Sequence, residues 1–378
     1  MGTISGKLDF GAQLSGRIDR LDGIRALAII LVFLIHINIG RFGWQGVSLF
    51  FVLSGFLITS ILRRSRTNYS FWRPFYIKRA TRILPPLLIA FLVAFLFSTI
   101  AWRQVGLYEL FFLANFAAWI HPQGTGSLTV LWSLAVEEQF YLFWPFAVRY
   151  LDRRCLIQLS AGVLIAEPIL RAIVSPFCQT SWPIYYLTPF QLDGLAAGSL
   201  LAVLVEDATT AETLTKWSGK VFALIAATFL ALSLTRGFHR DANTVLFNSL
   251  GYWLVYLGAA FLIAYVLLRP STPISRILEW KPAVFLGSIS YGFYLFHPVG
   301  ITLMEKLGVS LKFVHYRTLS PLAFVGVAAF SWLSFRYYEK LFIAWGKKVA
   351  ARLQKFAATE RQAPSLPDSA LPQIPAAE

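Results

Sequence analysis

Charged residues are scarce in this sequence, and their scarcity excludes an ordinary soluble domain. They make up 14% of the 378 residues, whereas hydrophobic residues make up 57%. A soluble globular domain carries roughly 25% charged residues, because most of its surface faces water. Apolar runs of about 18 residues or more recur along the chain, and each is long enough to cross a bilayer as a helix. Helices are expected because they satisfy their backbone hydrogen bonds internally, as lipid requires.

Cysteine is almost absent, and so are the residue spacings that hold metals. The chain has two cysteines, Cys155 and Cys178, which cannot form a disulfide framework and are interpreted as thiols in apolar surroundings. No metal cofactor is predicted. The N-terminal residues lack the apolar core of a cleavable signal peptide, so the first apolar run is predicted to be a retained span. The absence of an internal repeat disfavours an inverted-repeat transporter.

The apolar runs predict an all-α polytopic membrane helix bundle of about ten transmembrane helices, with both termini cytoplasmic. By residue number the predicted spans are 22–39, 45–62, 83–102, 128–151, 155–173, 184–204, 219–235, 246–267, 283–303 and 319–343. In that orientation about 25 of the 34 Lys and Arg residues lie on the cytoplasmic side. The net charge of +15 is therefore interpreted as a topology signal and an attraction to anionic lipid, and no nucleic acid is predicted as a partner.

The same pattern divides the chain into three parts. Residues 1–21 are predicted to be a cytoplasmic N-terminal segment, residues 22–343 the membrane domain, and residues 344–378 a basic cytoplasmic tail. The end of the tail, from residue 357, is rich in Ala, Pro and Ser and has no apolar periodicity. We therefore predict that it is disordered.

Ionisable residues inside predicted spans are costly, so each one is a candidate functional group. In the first span, Arg25 and His36 are eleven residues apart, almost three full turns. Both side chains therefore lie on one helix face, about 16 Å apart along the axis. Asp22 is one turn before Arg25 and is expected to pair with it. A buried neutral imidazole suits a general base. The structural alternative is an arginine that reaches the headgroups and a satisfied buried histidine.

A second group of polar residues lies deep in the fourth predicted span. Glu137 and Glu138 are about 14 Å along a helix that is predicted to begin near Ser127. Ser133 and Tyr141, at i−4 and i+4 from Glu137, extend a polar stripe on the same face. A carboxylate at this depth must pair with a cation, share a proton or line a wet cavity. A His36–Glu137 pair is compatible with this depth, and an inter-helix ion pair without chemistry is the structural alternative.

A cluster of basic residues precedes the third predicted span. Lys78, Arg79 and Arg82 are expected to close a basic loop, with Pro85 and Pro86 breaking the start of the helix. Arg79 and Arg82 share a face at i and i+3, a spacing suited to binding phosphate. Topology and lipid anchoring explain such a cluster equally well at this point.

Other polar residues interrupt apolar runs without a clear role. Ser54-Gly55 is typical of a site where two helices approach closely. The remaining candidates are Asp193, Tyr291, Tyr294 and His297. Three further histidines, His121, His239 and His315, fall in predicted outer loops and are expected to be solvated.

Taken together, these segments resemble the acyltransferase-3 family of bacterial integral membrane acyltransferases over roughly residues 17–343. Arg25 to His36 matches the Arg-x10-His motif of the family, and Lys78 to Arg82 matches its Arg-Arg-x-x-Arg motif, with Lys in the first position. Three further segments look like family motifs: residues 50–57 (FFVLSGFL), 132–141 (WSLAVEEQFY) and 290–298 (SYGFYLFHP).

Two positions depart from the family pattern. Gln191 replaces the usual Arg before the Phe-Asp-Gly-Leu-Ala element, and Leu192 replaces its Phe. This puts an acceptor contact by that Arg in doubt. The closing Glu-x-Pro is Glu339-Lys340-Leu341 here, and we expect this change to affect only how the last helix ends.

The resemblance implies a ten-helix bundle in the bacterial cytoplasmic (inner) membrane that takes an acyl group, most often acetyl, from cytoplasmic acyl-CoA. The acceptor would be a hydroxyl of a cell-surface or lipid-linked carbohydrate, and membrane lipid surrounds the bundle. Some family members carry a fused extracytoplasmic hydrolase-like domain. Only a short tail follows the last span here, so either direct transfer or a separate extracytoplasmic transferase is expected. A transporter or flippase of a glycan precursor is the alternative function, with the buried charges as a proton relay.

The predicted mechanism assigns a role to each candidate residue. Lys78, Arg79 and Arg82 would hold the CoA phosphates, and Arg25 would guide the donor into the bundle. His36 would act as general base, and Glu137 would orient it or stabilise its imidazolium. An acyl-enzyme on His36 or Ser54 remains an alternative route. The residues predicted to contact substrate are Glu138, Ser54, Asp193, Tyr291 and His297.

Overall fold

The structure, a computed structural model, describes residues 17–97, 99–310 and 316–362. The described chain is helical throughout, and no strand occurs within those ranges. The principal helices are α1 (Asp19–His36), α2 (Gln45–Ser65), α3 (Trp72–Leu96), α4 (Trp102–Leu110), α5 (Ala114–Ile120), α6 (Pro122–Thr125), α7 (Leu131–Tyr150), α8 (Arg153–Val174), α9 (Trp182–Tyr186), α10 (Leu192–Leu204), α11 (Ala208–Ser233), α12 (Tyr252–Leu268), α13 (Pro273–Leu278), α14 (Lys281–Ser288), α15 (Ser290–Ser310), α16 (Ser320–Ser334) and α17 (Lys340–Gln362). The prediction of an all-α bundle is confirmed.

Five of these helical segments are long and apolar enough to cross a membrane, and a bent pair makes a sixth. The five are Gln45–Ser65, Trp72–Leu96, Arg153–Phe177, Ala208–Ser233 and Phe247–Leu268. The sixth is Lys281–Ser288 with Ser290–Val309, bent by 75° between the two halves. α1 and α7 are also long, but both carry several charged residues. The count of about ten spans and the cytoplasmic position of both termini stay predictions.

The third helix differs from its prediction. α3 begins at Trp72, so Lys78, Arg79 and Arg82 lie on the helix, and Pro85 and Pro86 lie inside it. The prediction that the prolines break the helix start was wrong. A proline leaves a carbonyl one turn earlier without its usual donor, and neighbouring side chains and waters compensate for this in membrane helices. The Tyr291 hydroxyl of α15 donates to the carbonyl of Ile83, two residues before Pro85, at 3.0 Å, and so links α15 to this part of α3.

Two other predicted spans are divided. The segment 184–204 consists of α9, a 3₁₀ turn (Thr188–Phe190) and α10 of 13 residues, so it is not one continuous helix. Pro183 and Pro189 each occupy the first turn of a short helix, where the missing N–H costs nothing. The predicted span 283–303 is bent at Ile289, between α14 and α15.

The C-terminal part of the bundle also differs from expectation. A π-helical segment (Phe335–Glu339) joins α16 to α17, and α17 continues to Gln362, well beyond residue 343. The stretch from Lys340 to Gln362 contains no proline and many strong helix formers, which favours continuation. Residues 357–362 are therefore helical where the sequence predicts disorder. The remainder of the tail, the first sixteen residues and His315 lie outside the described residues.

Small residues bring α2 and α10 into backbone contact. A Cβ on Gly55 would lie 2.0 Å from the carbonyl oxygen of Leu195, and one on Gly198 would lie 1.9 Å from that of Val52. The prediction of a close helix approach at Ser54-Gly55 is confirmed. Thr59 on α2 then donates to Ser199 on α10 at 2.9 Å.

The bundle has two ends, which are distinguished by the residues at the helix termini. We call the end with the basic residues between 63 and 82 the basic end, and the opposite end the His36 end. Asp19 and Asp22 lie in the first turn of α1, where negative charge stabilises the helix. After His36 the chain reverses through Asn38 and Gly40, both with positive φ.

At the start of α11, the backbone N–H of Thr210 donates to Asp207, and this bond holds the pKa of that carboxyl below its usual value.

Candidate active site

A polar cavity lies among α1, α2, α3, α7 and α15. It has an empty volume of about 780 Å³, and we call it the central cavity. Its polar lining residues come from all five helices: Arg25, Ser54, Arg79, Arg82, Ser133, Glu137, Tyr141, Ser290, Tyr291 and Tyr294. Residues from all five family-like motifs therefore meet around one space. The structure thus brings together the candidates Arg25, Ser54, Arg79, Arg82, Glu137 and Tyr291.

Three arginines face the central cavity, and two of them form no ion pair with a carboxylate among the residues that the structure describes. The guanidinium of Arg25 donates to Asp22 at 2.6 Å, the pair expected from the sequence. The guanidinium of Arg79 lies over the ring of Tyr141, 4.6 Å from its centroid. Within the described part of the chain, neither Arg79 nor Arg82 forms an ion pair with a carboxylate. Such a set of cations can bind a ligand with several negative charges through charge-assisted hydrogen bonds.

An adjoining cavity connects this site with the basic end. This entry cavity, with an empty volume of about 530 Å³, shares Arg25 and Leu57 with the central cavity. Arg17 and Arg64 also line it. The sequence placed Arg64 only among the topology charges, and nothing in its local pattern distinguished it. Lys78 is exposed and does not line either cavity.

Glu137 is hydrogen-bonded through both carboxylate oxygens. Oε1 accepts from the hydroxyl of Ser54 at 2.8 Å, and Oε2 accepts from Tyr141 at 3.1 Å. The expected polar stripe is confirmed, because Ser133, Glu137 and Tyr141 all line the central cavity. Tyr141 reaches Glu137, whereas Ser133 bonds Tyr294 at 2.7 Å. The expected His36–Glu137 pair is absent from the described contacts. Glu138 is half-buried, does not line the cavity, and its Oε1 has no hydrogen-bond partner.

His36 has a different partner, His297. The Nε2 atom of His297 lies 3.4 Å from Nδ1 of His36, and the ring centroids are 4.7 Å apart. Nδ1 of His36 is 2.7 Å from the carbonyl oxygen of Val32, and Nδ1 of His297 is 2.8 Å from that of Tyr294. A carbonyl only accepts, so each Nδ1 carries the proton. Nε2 of His36 is then unprotonated, as a general base requires.

The histidine pair lies beyond the central cavity, towards the His36 end. Tyr294 lines the cavity, and its carbonyl fixes His297 one helical turn further along α15. His297 is fully buried, whereas His36 is exposed. A group bound near Arg25 must extend about 16 Å to reach His36. A donor with a long flexible arm meets this requirement.

Asp193 does not lie at the central cavity. It is fully buried and pairs with Arg171, which donates to Oδ2 at 2.5 Å and to Oδ1 at 3.1 Å. Glu167 completes the cluster: Arg171 donates to it at 3.4 Å, and it accepts from the backbone N–H of Leu192 at 3.0 Å. The contacts of Asp193 thus stabilise the start of α10. The sequence analysis missed Arg171, although Glu167 and Arg171 at i and i+4 in an apolar run were a usable signal.

Gln191, which departs from the family pattern, forms hydrogen bonds inside the bundle through both the nitrogen and the oxygen of its side-chain amide. Its side-chain N–H donates to the carbonyl of Ile184 at 2.9 Å, and its oxygen accepts from the hydroxyl of Tyr256. Glu339 accepts from Ser334 at 2.8 Å and is buried beside α15. No group of three or more potential metal ligands occurs within the described ranges.

Comparison with known proteins identifies relatives of this chain. The model of the acyltransferase-3 family, described as an acyltransferase domain, matches residues 18–336. YrhL of Bacillus subtilis is 32% identical over 308 residues, which cover 73% of this chain and 47% of that protein. The O-acetyltransferase OatA of Staphylococcus aureus is 27% identical over 355 residues, 83% of this chain and 58% of OatA. The peptidoglycan O-acetyltransferase OatA of Listeria monocytogenes is 28% identical over 343 residues, 84% and 54% respectively.

The chain spans about half the length of these curated relatives. No solved structure matches it. The family match begins at residue 18, just before α1, and ends within the π-helical segment that follows α16. It therefore includes every residue that lines the central cavity. The chain belongs to the acyltransferase-3 family.

Proposed function

We propose that the protein is a membrane-bound O-acyltransferase that moves an acyl group, acetyl in the first instance, from acyl-CoA to a hydroxyl of a carbohydrate. The observation that carries the proposal is the order of three features along the bundle. Arginines that form no ion pair within the described ranges come first, from the basic end, followed by the central cavity and then His36. This order matches the parts of acyl-CoA, which has phosphates at one end and a thioester at the end of a long arm. The relatives named O-acetyltransferases support the same reaction class.

The basic end binds the nucleotide part of the donor. Arg79 and Arg82 hold phosphate oxygens, assisted by Arg64 in the entry cavity, and Arg25 lies where the pantetheine arm enters. The excess of Lys and Arg at this end favours a cytoplasmic location, where acyl-CoA is available. The protein is accordingly proposed to lie in the bacterial cytoplasmic membrane. Lys78 contributes only a diffuse charge, because it is exposed and outside both cavities.

His36 deprotonates the acceptor. Its Nε2 removes the proton as the sugar oxygen bonds to the thioester carbonyl carbon, and the C–S bond breaks. The proton then passes from the imidazolium to the departing thiolate, so the products are an ester and free CoA. His297 holds the His36 ring in place and favours the tautomer with the proton on Nδ1. General-base catalysis of this type contributes about 10²–10⁴-fold.

Glu137, together with Ser54 and Tyr141, lies between the arginines and the histidine pair. Its carboxylate fixes the two hydroxyls along the path of the pantetheine arm. A covalent intermediate on Ser54 would use the same contact, with Glu137 taking the hydroxyl proton.

The proposal is tested with purified protein in liposomes and radiolabelled acetyl-CoA. Wild-type protein is expected to release CoA and to transfer label to a glycan or glycolipid acceptor from its own cells. His36→Ala is expected to reduce transfer by about 100-fold or more while acetyl-CoA still binds, since the base is lost and the donor site is intact. His121→Ala is the matched control, because His121 lies away from the cavity.

Near-normal transfer by His36→Ala would remove His36 from the mechanism. Failure of the wild-type protein to bind acetyl-CoA, or movement of an unmodified glycolipid across the bilayer, would instead favour the transporter function.

A further inference from the structure

A separate cavity opens at the His36 end of the bundle. This His36-end cavity has an empty volume of about 550 Å³. Ile35, the residue before His36, forms part of its wall, and the rest comes from the loop after α1, the end of α11 and the 3₁₀ turn Arg240–Ala242. Arg240 is close enough to His36 for their charges to interact. The cavity therefore lies next to the proposed base, on the side away from the donor arginines.

The polar lining of the His36-end cavity carries an excess of positive charge. Arg41, Ser233, His239, Arg240 and Asp241 all line it. Nε of Arg240 donates to Asp241 at 2.9 Å, and its guanidinium lies over the rings of Trp182 and Tyr185 at 5.4 and 5.1 Å. Arg41 is exposed and forms no ion pair with the described residues. Two arginines against one carboxylate favour a ligand with a negative charge.

An apolar groove leads into this cavity. It has an empty volume of about 930 Å³ and runs between α1, α2, α11 and α12, lined by side chains such as Leu31, Leu49, Ile225 and Leu262. Three of these helices belong to segments that are long and apolar enough to cross a membrane, so the groove lies at the level of the hydrocarbon layer. Leu27 and Leu230 are exposed at its rim.

The groove and the His36-end cavity share two side chains. Phe42 and Phe229 line both, and their ring centroids are 6.0 Å apart. A hydrocarbon tail in the groove would therefore place its head group among Arg41, Arg240 and Asp241. The apolar surface and the cationic cavity form one continuous amphipathic site.

From this continuity we infer that the acceptor is a lipid-linked carbohydrate in which a phosphate joins the hydrocarbon tail to the sugar. The tail lies in the groove, the phosphate lies between Arg41 and Arg240, and the sugar extends towards His36. This inference rests on the proposed transfer to a sugar hydroxyl and specifies the substrate class. A soluble glycan has no hydrocarbon tail to fill the groove. An ordinary phospholipid has no sugar hydroxyls to form hydrogen bonds with Ser233, His239 and Asp241.

The test uses farnesyl diphosphate, a short lipid diphosphate, as the probe. The protein is placed in nanodiscs of phosphatidylethanolamine, and binding is followed by the change in tryptophan fluorescence, to which Trp44 contributes because it lines the His36-end cavity. Farnesyl diphosphate is expected to bind at least about tenfold more tightly than farnesol or inorganic pyrophosphate. The reason is that only the complete probe uses both halves of the site.

Variants test the phosphate-binding half and the tail-binding half of the site separately. Arg41→Gln and Arg240→Gln should each weaken farnesyl diphosphate binding by about tenfold, since each removes a charged contact with the phosphate. Arg236→Gln, an exposed arginine outside the cavity, is the matched control. Gly258→Leu should weaken farnesyl diphosphate and leave pyrophosphate unchanged. A Cβ at Gly258 meets Ile225 at only 3.4 Å, so the new side chain fills the groove without forcing the helices apart.

Two results would overturn the inference. One is equal binding of farnesyl diphosphate by wild type, Arg41→Gln and Arg240→Gln. The other is equally tight competition by phosphatidylglycerol, which would identify a site for bulk anionic lipid. Acetyl-CoA binding at the basic end is measured in the same samples. Its presence in every variant confirms the fold, and its absence from the wild type would instead disprove the proposed function.

Discussion

Two groups of arginines in this bundle are used in opposite ways. Arg171 is fully buried, and two carboxylates of the chain itself, Asp193 and Glu167, neutralise it. Arg79 and Arg82 line the central cavity, and no carboxylate within the described ranges pairs with them. The first arrangement holds helices together, whereas the second leaves positive charge for a ligand. A charged residue in a membrane domain is therefore interpreted by its partners, and not by its depth alone.

The largest expected effect comes from breaking the internal cluster. Arg171→Met leaves Asp193 and Glu167 buried without a cation, and loss of one partner of a buried ion pair costs about 3–5 kcal/mol. We expect a large fall in folded yield and in the melting temperature of the purified protein. Acetyl-CoA affinity per folded molecule should stay unchanged.

A triple variant serves as the control for this prediction. Arg171→Met combined with Asp193→Asn and Glu167→Gln removes all three charges, and it should recover at least half of the lost stability. A triple variant as unstable as the single one would mean that Arg171 acts through packing against Tyr252 and not through charge.

A smaller effect, on binding and not on stability, is expected at the central cavity. Arg79→Gln or Arg82→Gln should weaken acetyl-CoA binding by about 10- to 100-fold, because a hydrogen bond to a charged group contributes about 1.5–3 kcal/mol. The melting temperature without ligand should stay the same or rise, since one member of a group of like charges is removed. Calorimetric titration with CoA and with its pantetheine fragment checks the assignment. The pantetheine fragment, which lacks the nucleotide phosphates, should not distinguish variant from wild type.

The smallest effect is expected for Lys78, the family-motif residue outside both cavities. Lys78→Gln should change acetyl-CoA affinity by no more than about twofold in physiological salt, because exposed charges are screened. The difference from Arg79→Gln is the informative quantity. If Lys78→Gln weakens binding as strongly as Arg79→Gln, the donor extends along the exposed face of α3 and not into the central cavity.

Local pattern was sufficient for several features of the site. The 3.6-residue period places Arg25 and His36 on one face of α1, and the structure contains both residues in that single helix. The same period correctly placed Tyr141 beside Glu137, and the small side chains at Ser54-Gly55 correctly predicted a close helix contact. These predictions concern residues within one helix or the size of a single side chain. They depend on backbone geometry that every helix shares.

The local sequence pattern did not predict which residues pair between helices. His36 was expected beside Glu137 but lies against His297, which is 261 residues away in the chain. Asp193 was expected at the substrate and instead pairs with Arg171. The prolines at 85 and 86 were expected to break a helix that in fact continues through them. For His36 and Asp193 a contact from another helix decided the outcome, and no property of the local segment specifies that contact.

The sequence by itself determined that this chain is an all-helical membrane protein of the acyltransferase-3 family, and which polar residues lie inside its helices. Composition and the helical period are enough for the all-helical membrane class, because lipid requires each helix to satisfy its own backbone, whereas the family follows from the resemblance of the motifs. Only the tertiary structure decided which of those polar residues share a cavity, which neutralise each other, and where the lipid-facing groove joins the His36 end. Those outcomes depend on which helix faces meet, and helix packing is determined by the shapes of side chains that are far apart in the sequence.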